Sequence, residues 1–217
     1  MVAEVIAVID YGIGNLRSAY KALIAVGANA RLIDDPSDLK DPAGVVIPGV
    51  GAFGAAVNAF RSRGFESKVR GLIESGTPTL GICVGMQMLY EGSSESEDSA
   101  GLGLLEGKVE MLSGSVRLPQ MQWNRLNIAR FGGSALFEDV PEESWVYFVH
   151  SYAAPVGADT TASCDYGGEF SAAVGRANLY GVQFHPEKSS MVGLKILSNF
   201  SKVCGSTAVP NGGLLWR

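Results

Sequence analysis

The sequence predicts an α/β fold of three layers, with helices on both faces of a mostly parallel sheet and antiparallel strands added in the second half. Three observations lead there. Short apolar runs alternate with amphipathic stretches through the first half, the pattern of buried parallel strands joined by helices. Further along, strand-like segments alternate with period two, as strands with one solvated face do. Hydrophobic residues make up 47% of the 217 residues against 18% charged, enough for a sizeable core and too apolar for disorder.

The elements follow in order. Val5 to Ile9 reads as a buried strand ended by Asp10-Tyr11-Gly12-Ile13-Gly14. Asn15 can cap a helix whose Leu16, Ala19, Tyr20, Leu23 and Ile24 share a face, and Gly27 is placed to stop it. Ala30 to Ile33 and Gly44 to Ile47 are the next strands, the latter cut by Pro48-Gly49. One helical stretch covers about Ala55 to Ser75. Thr79 to Cys83 is a fourth strand and leads into a helix through Met86, Met88, Leu89 and Tyr90. After the small acidic loop from Glu91 to Gly101 come strand-like segments at Gly107–Leu112, Ser144–Val149, Ala172–Val174 and Leu179–Phe184. A last helix runs from about Met191 to Val203. With no internal repeat and no linker, residues 1–204 read as one domain and 205–217 as a loosely ordered tail.

Composition narrows the partners. Seventeen basic and 22 acidic residues give a net charge of −5, and no Lys/Arg run forms a phosphate-binding stripe, so no nucleic acid is expected. No apolar run is long enough to span a membrane, and no basic segment precedes a cleavable apolar one at the N-terminus. Three cysteines are an odd number for a disulfide scaffold, so a cytoplasmic location is expected. Only two histidines, His150 and His185, leave little for a metal site, and no metal or cofactor is expected.

Gly81-Ile82-Cys83-Val84-Gly85 lies between a buried strand and a helix and has the form Gly-x-nucleophile-x-Gly. Small neighbours let the thiol project from a cramped turn, the following helix favours a thiolate, and the Val84 N–H can meet an oxyanion. The plainer reading is a buried free cysteine. In His185-Pro186-Glu187 the proline favours an extended His185, and Glu187, two residues on, can orient the imidazole toward a nucleophile. Alone, these residues read as an exposed turn; beside an elbow cysteine they read as base and orienter. Pro48-Gly49-Val50-Gly51 follows a strand, where a glycine loop can aim a further N–H at the same oxyanion. A rival reading takes Gly12 and Gly14 with Asp34 as a dinucleotide fingerprint, but Arg17 stands where its third glycine belongs. His150 has no carboxylate two residues on and reads as a hydrogen-bonded core or rim histidine.

Taken together, these segments resemble the class I, triad-type glutamine amidotransferases and, more narrowly, the glutaminase subunits of imidazole glycerol phosphate synthases in histidine biosynthesis. The matching pieces are Asp10 to Arg17, Pro48 to Phe53, Gly81 to Gln87, Trp123-Asn124, Phe148 to Tyr152 and Gly181 to Ser189. The resemblance implies a flavodoxin-like α/β/α fold and a Cys83–His185–Glu187 triad that hydrolyses L-glutamine through a thioester. It further implies that the Val84 N–H and the Gly49-Val50 peptide form the oxyanion hole, the latter turned in when a partner binds its substrate. Gly51, Gln87, Glu95, Ser151 and Tyr152 are implied to bind glutamine. The implied partner is a (β/α)₈-barrel cyclase that receives ammonia in a heterodimer, with Asn15, Trp123 and Lys188 at the interface. Gln122 departs from the pattern, which has glycine there. Alternatives that remain open are a paralogue feeding a sugar-amidating synthase of surface polysaccharides and a non-catalytic regulatory partner.

Overall fold

Apolar runs with no polar interruption have no side to turn to solvent, so they become strands covered on both faces. In a computed structural model, which describes residues 5–128 and 134–205, these runs form the middle of a seven-stranded sheet. In chain order the first half gives β1 (Ile6–Ile9), α1 (Leu16–Ala25), β2 (Ala30–Ile33), β3 (Gly44–Gly49), α2 (Phe53–Ser62), α3 (Phe65–Glu74), β4 (Thr79–Cys83) and α4 (Val84–Gln87). Every residue of β1, β3 and β4 is buried. The chain steps from β1 to β2 toward one edge and from β3 to β4 toward the other. Right-handed crossovers therefore place α1 on one face of the sheet and α2–α3 on the opposite face.

The second half supplies β5 (Gly92–Ser93), β6 (Lys108–Met111), β7 (Gln120–Arg125), β8 (Trp145–His150), β9 (Tyr152–Ala153), β10 (Thr160–Asp165), β11 (Glu169–Arg176), β12 (Leu179–Val182) and α5 (Ser190–Val203). The main sheet runs β10-β11-β12-β4-β3-β1-β2, and β12 pairs with β4 in parallel. β11 and β10 add antiparallel strands, the first of them where the sequence places a strand at Ala172–Val174. β5, β6 and β9 make a small sheet, while β7 and β8 form an antiparallel ribbon. α5 packs against α1.

Several boundaries differ from the sequence reading, each for a local reason. β3 continues through Pro48 and Gly49. Its pairing with β1 stops at Val46, so the missing N–H of Pro48 interrupts no ladder on that side. The long helix expected after β3 is two helices, divided at Gly64, whose φ of 78° is left-handed. The helix after Cys83 is only four residues long. β7 and β10, both rich in polar residues, lie outside the strand-like segments read from the sequence. The predicted loose tail falls, apart from Gly205, outside the described residues.

Candidate active site

Cys83 ends β4 at the carboxyl edge of the sheet with φ 53° and ψ −112°. A residue with a side chain rarely holds a positive φ, and doing so costs about 1–3 kcal/mol. Glycines make room for the turn. A Cβ on Gly81 would lie 2.6 Å from the Gly85 carbonyl oxygen. One on Gly85 would strike the Ile47 carbonyl, and one on Gly49 would strike the Gly85 nitrogen. This is the strained strand-to-helix elbow that the spacing predicts. The dipole of a long helix does not contribute, because α4 has a single turn. Parallel pairing of β3 with β4 sets Gly49 level with Cys83, and Val50 and Gly51 open onto the same cleft.

His185 reaches Cys83 from the neighbouring strand. β12 lies beside β4, and the chain leaving β12 carries His185 in an extended conformation (φ −99°, ψ 98°). The expected same-side placement of Glu187 is achieved differently, because Pro186–Lys188 forms a 3₁₀ turn. His185 Nδ1 donates to Glu187 Oε1 at 2.8 Å, and both side chains are 2% exposed. Ser189 fixes the backbone here, donating to the His185 carbonyl at 2.6 Å and accepting the Tyr147 N–H at 3.0 Å. The other ring nitrogen, Nε2, is buried with no hydrogen-bond partner among the described residues. Burial alone lowers the pKa of His185, but the Cys83 side chain and Glu187 reverse this and raise it to about 10. A cationic imidazole facing sulfur is thus favoured, as a thiolate–imidazolium pair requires.

A cleft of about 260 Å³ opens over the sulfur, with room for a molecule the size of an amino acid. Of the predicted residues, Val50, Gly51, Cys83, Val84, Gln87, Glu95, Ser151, Tyr152 and His185 line it. Pro119, Val149 and His150 line it as well. Glu95 Oε2 accepts the Phe53 N–H at 2.8 Å, which ties the acidic loop to the start of α2. Gln87 Nε2 donates to the Tyr152 carbonyl at 2.8 Å and to Gln183 Oε1 at 3.1 Å. His150 is buried as the sequence reading has it, with Nδ1 donating to that same carbonyl at 2.9 Å. Burial lowers its pKa to about 4.

Asn15, Trp123 and Lys188 lie outside this cleft. Asn15 stands at the start of α1, but its side chain does not cap the helix as the sequence reading allows. Its Nδ2 donates instead to Glu187 Oε1 at 3.2 Å, the oxygen that also holds His185. Trp123 packs edge-on against Tyr147 with ring centroids 6.2 Å apart, and Lys188 Nζ lies 5.8 Å from the centroid of that ring. Two residues at the site went unassigned in the sequence. Gln183, fully buried, places Nε2 3.7 Å from Cys83 Sγ. Tyr11 donates its hydroxyl to the Pro48 carbonyl at 2.6 Å, just ahead of the glycine loop. A polar residue in the apolar stretch Leu179–Phe184, one position beyond the end of β12 and its pairing with β4, was the available sign for Gln183.

No group of three His, Cys, Asp or Glu side chains suited to a metal ion occurs among the described residues. No helix among them is long and apolar enough to cross a membrane. A strained thiol, a raised imidazole, a carboxylate orienter and a small cleft carrying a few polar groups together suit attack on a carboxamide.

The family model described as "Glutamine amidotransferase class-I" matches residues 7–203. Similar proteins include the imidazole glycerol phosphate synthase subunit HisH of Moorella thermoacetica, 44% identical over 91% of this chain and 94% of that one. The HisH of Methanosarcina acetivorans is 43% identical over 92% of this chain and 98% of that one. Among solved structures, a crystal structure of a glutamine amidotransferase superposes with TM-score 0.72 at 20% identity, covering 92% of this chain and 98% of that one. PurLQS from Thermotoga maritima superposes with TM-score 0.71 at 22% identity, covering 94% and 98%. At those identities the structures show the fold, while the family match and the relatives settle the membership: the chain belongs to the class I glutamine amidotransferases, and it is an enzyme of that class.

Proposed function

We propose that this chain is the glutaminase subunit of an imidazole glycerol phosphate synthase, hydrolysing L-glutamine with a Cys83–His185–Glu187 triad and passing the ammonia to a cyclase subunit. The observation that carries the reading is the meeting of Cys83 and His185, about 100 residues apart in sequence, in one cleft, with Glu187 bonded behind the imidazole. The resemblance of the relatives supplies the pathway.

The chemistry follows from the geometry. The Cys83 thiolate adds to the γ-carbonyl of glutamine, and the oxygen takes the negative charge toward the Val84 N–H and the Gly49-Val50 peptide. An oxyanion donor of this kind contributes about 3 kcal/mol. The tetrahedral carbon then expels ammonia as the C–N bond breaks, His185 supplying the proton and Glu187 holding the ring in line. Water, deprotonated by His185, attacks the thioester; the C–S bond breaks and glutamate leaves. Gly51, Gln87, Glu95, Ser151 and Tyr152 bind the rest of the substrate.

The partner, a (β/α)₈-barrel cyclase in a heterodimer, docks on the β7–β8 ribbon. Met121, Trp123 and Trp145 are 61%, 43% and 52% exposed there. Residues of alternate position share a face, so Met121, Trp123 and Arg125 of β7 stand beside Val149, Tyr147 and Trp145 of β8. This aromatic face joins the active site directly, because the His185 N–H bonds the Tyr147 carbonyl at 2.9 Å. Gln122, which stands where the family has glycine, alternates to the other face of β7 and leaves the aromatic one clear. Asn15 and Lys188 flank the same edge, and the pair works in the cytoplasm.

The test is reconstitution with the barrel cyclase. Cys83→Ala should abolish glutamine-dependent synthesis of the imidazole product and spare synthesis fed by ammonium salts. Equal loss of both routes would refute the division of labour.

A further inference from the structure

Gln183 is the only side-chain amide within hydrogen-bond distance of the Cys83 sulfur among the described residues, and the triad does not include it. Which end of that amide faces sulfur is fixed by a chain of bonds. The Tyr152 carbonyl can only accept, so the Gln87 atom 2.8 Å from it is the NH₂ group. That NH₂ group also faces Gln183 at 3.1 Å, so the Gln183 atom it meets is the oxygen. The remaining end of Gln183 is therefore NH₂, and it points at Sγ from 3.7 Å. His150 Nδ1, at 2.9 Å, holds the same Tyr152 carbonyl and so anchors the far end of the chain.

An N–H donor gains little from a neutral thiol, a weak acceptor, and much more from a thiolate. Gln183 is completely buried, so its amide keeps its bonds without competition from bulk water. We propose that Gln183 is a dedicated donor to the Cys83 thiolate, held in its working orientation by Gln87 and the Tyr152 carbonyl. It supports the anion before substrate arrives and again when the C–S bond of the thioester breaks and the electron pair returns to sulfur. The inference rests on Cys83 being the nucleophile, and its test does not require glutamine turnover.

The experiment follows alkylation of Cys83 by iodoacetamide in the full chain across a pH series, read residue by residue by mass spectrometry, with Cys83→Ala as the blank. Gln183→Met keeps the length and removes the donor. At neutral pH its Cys83 should react about tenfold more slowly than the parent's, the order of one hydrogen bond to a charged group. At strongly alkaline pH, where sulfur is ionised in both proteins, the rates should converge. Equal rates at every pH overturn the proposal, and so does a slowing by the same factor throughout, which marks a change of access. If Gln183→Met does not fold, Gln87→Met carries the test, because freeing the Gln183 oxygen lets the amide turn; a smaller loss with the same convergence is expected. A parent Cys83 that resists alkylation at all pH values would overturn the nucleophile assignment itself, an outcome distinct from failure of Gln183 alone.

Discussion

His185 and His150 are both buried imidazoles, at 2% and 6% exposure, and both leave Nε2 without a hydrogen-bond partner among the described residues. Yet one is raised to about 10 and the other lowered to about 4. Burial opposes the charged form in both. His185 has Glu187 on one nitrogen and the Cys83 sulfur beyond the other. His150 has only the Tyr152 carbonyl, with the rings of Phe148 and Phe170 at 5.5 and 5.1 Å. Negative partners, then, and not depth, separate the imidazole raised beside the sulfur from the one that braces a carbonyl.

The largest effect expected from this contrast comes from Glu187→Gln, which takes away the carboxylate behind His185. Glutaminase kcat should fall about 100- to 1,000-fold with little change in KM, since the loss is of ring orientation and charge in the transition state. Steady-state kinetics with the reconstituted partner reads this. A kcat within threefold of the parent would mean that His185 works without its carboxylate.

The two rings also give opposite slopes of stability with pH. His150 binds its proton near 6.5 when unfolded but only near 4 when folded. The unfolded chain therefore holds more protons between those values, and stability is full above 6.5 and lost as pH falls to 4. The loss attributable to this ring is about 3 kcal/mol. Urea midpoints at neutral and acid pH should show His150→Gln losing less than the parent, and equal losses would assign the acid sensitivity elsewhere. For His185 the sign reverses. Its contribution is complete below 6.5 and fades as pH rises through about 10, so parent and His185→Asn should converge in stability on the alkaline side.

Asn15→Ala should have the smallest effect, two- to fivefold in glutaminase rate, roughly that of one modest hydrogen bond to a charged oxygen already held by His185. Its readout is the rate with partner bound against the rate of the isolated chain. A loss as large as that of Glu187→Gln would make Asn15 a member of the proton-handling group.

What could be read in the sequence was what a short stretch of backbone dictates. Gly81 and Gly85 around Cys83 announce their turn, because a side chain at either would strike nearby backbone. The buried runs of β1, β3 and β4 announce the sheet, since continuous apolar residues leave no other place for them. Where polar residues are buried by bonding to one another, the pattern fails. β10 reads Thr-Thr-Ala-Ser-Cys-Asp and is nonetheless almost entirely buried. Thr160 meets Ser171 at 2.7 Å and Ser163 donates to Glu169 at 2.7 Å, contacts that exist only once β11 lies alongside. Gln183, and the bond from Asn15 to Glu187, escaped for the same reason: each depends on a residue about 100 or more positions away. The break at Gly64 was different, since one glycine within a helical pattern does not say whether the helix continues or turns.

The most direct measurement of the account is the fate of a glutamine analogue bearing an electrophilic carbon at the amide position. Intact-protein and peptide mass spectrometry should find one adduct per chain, carried by Cys83, formed slowly in the isolated subunit and faster with the partner and its ligand bound. An adduct on Cys164 or Cys204, or none in the presence of the partner, would contradict the assignment of Cys83 as the nucleophile.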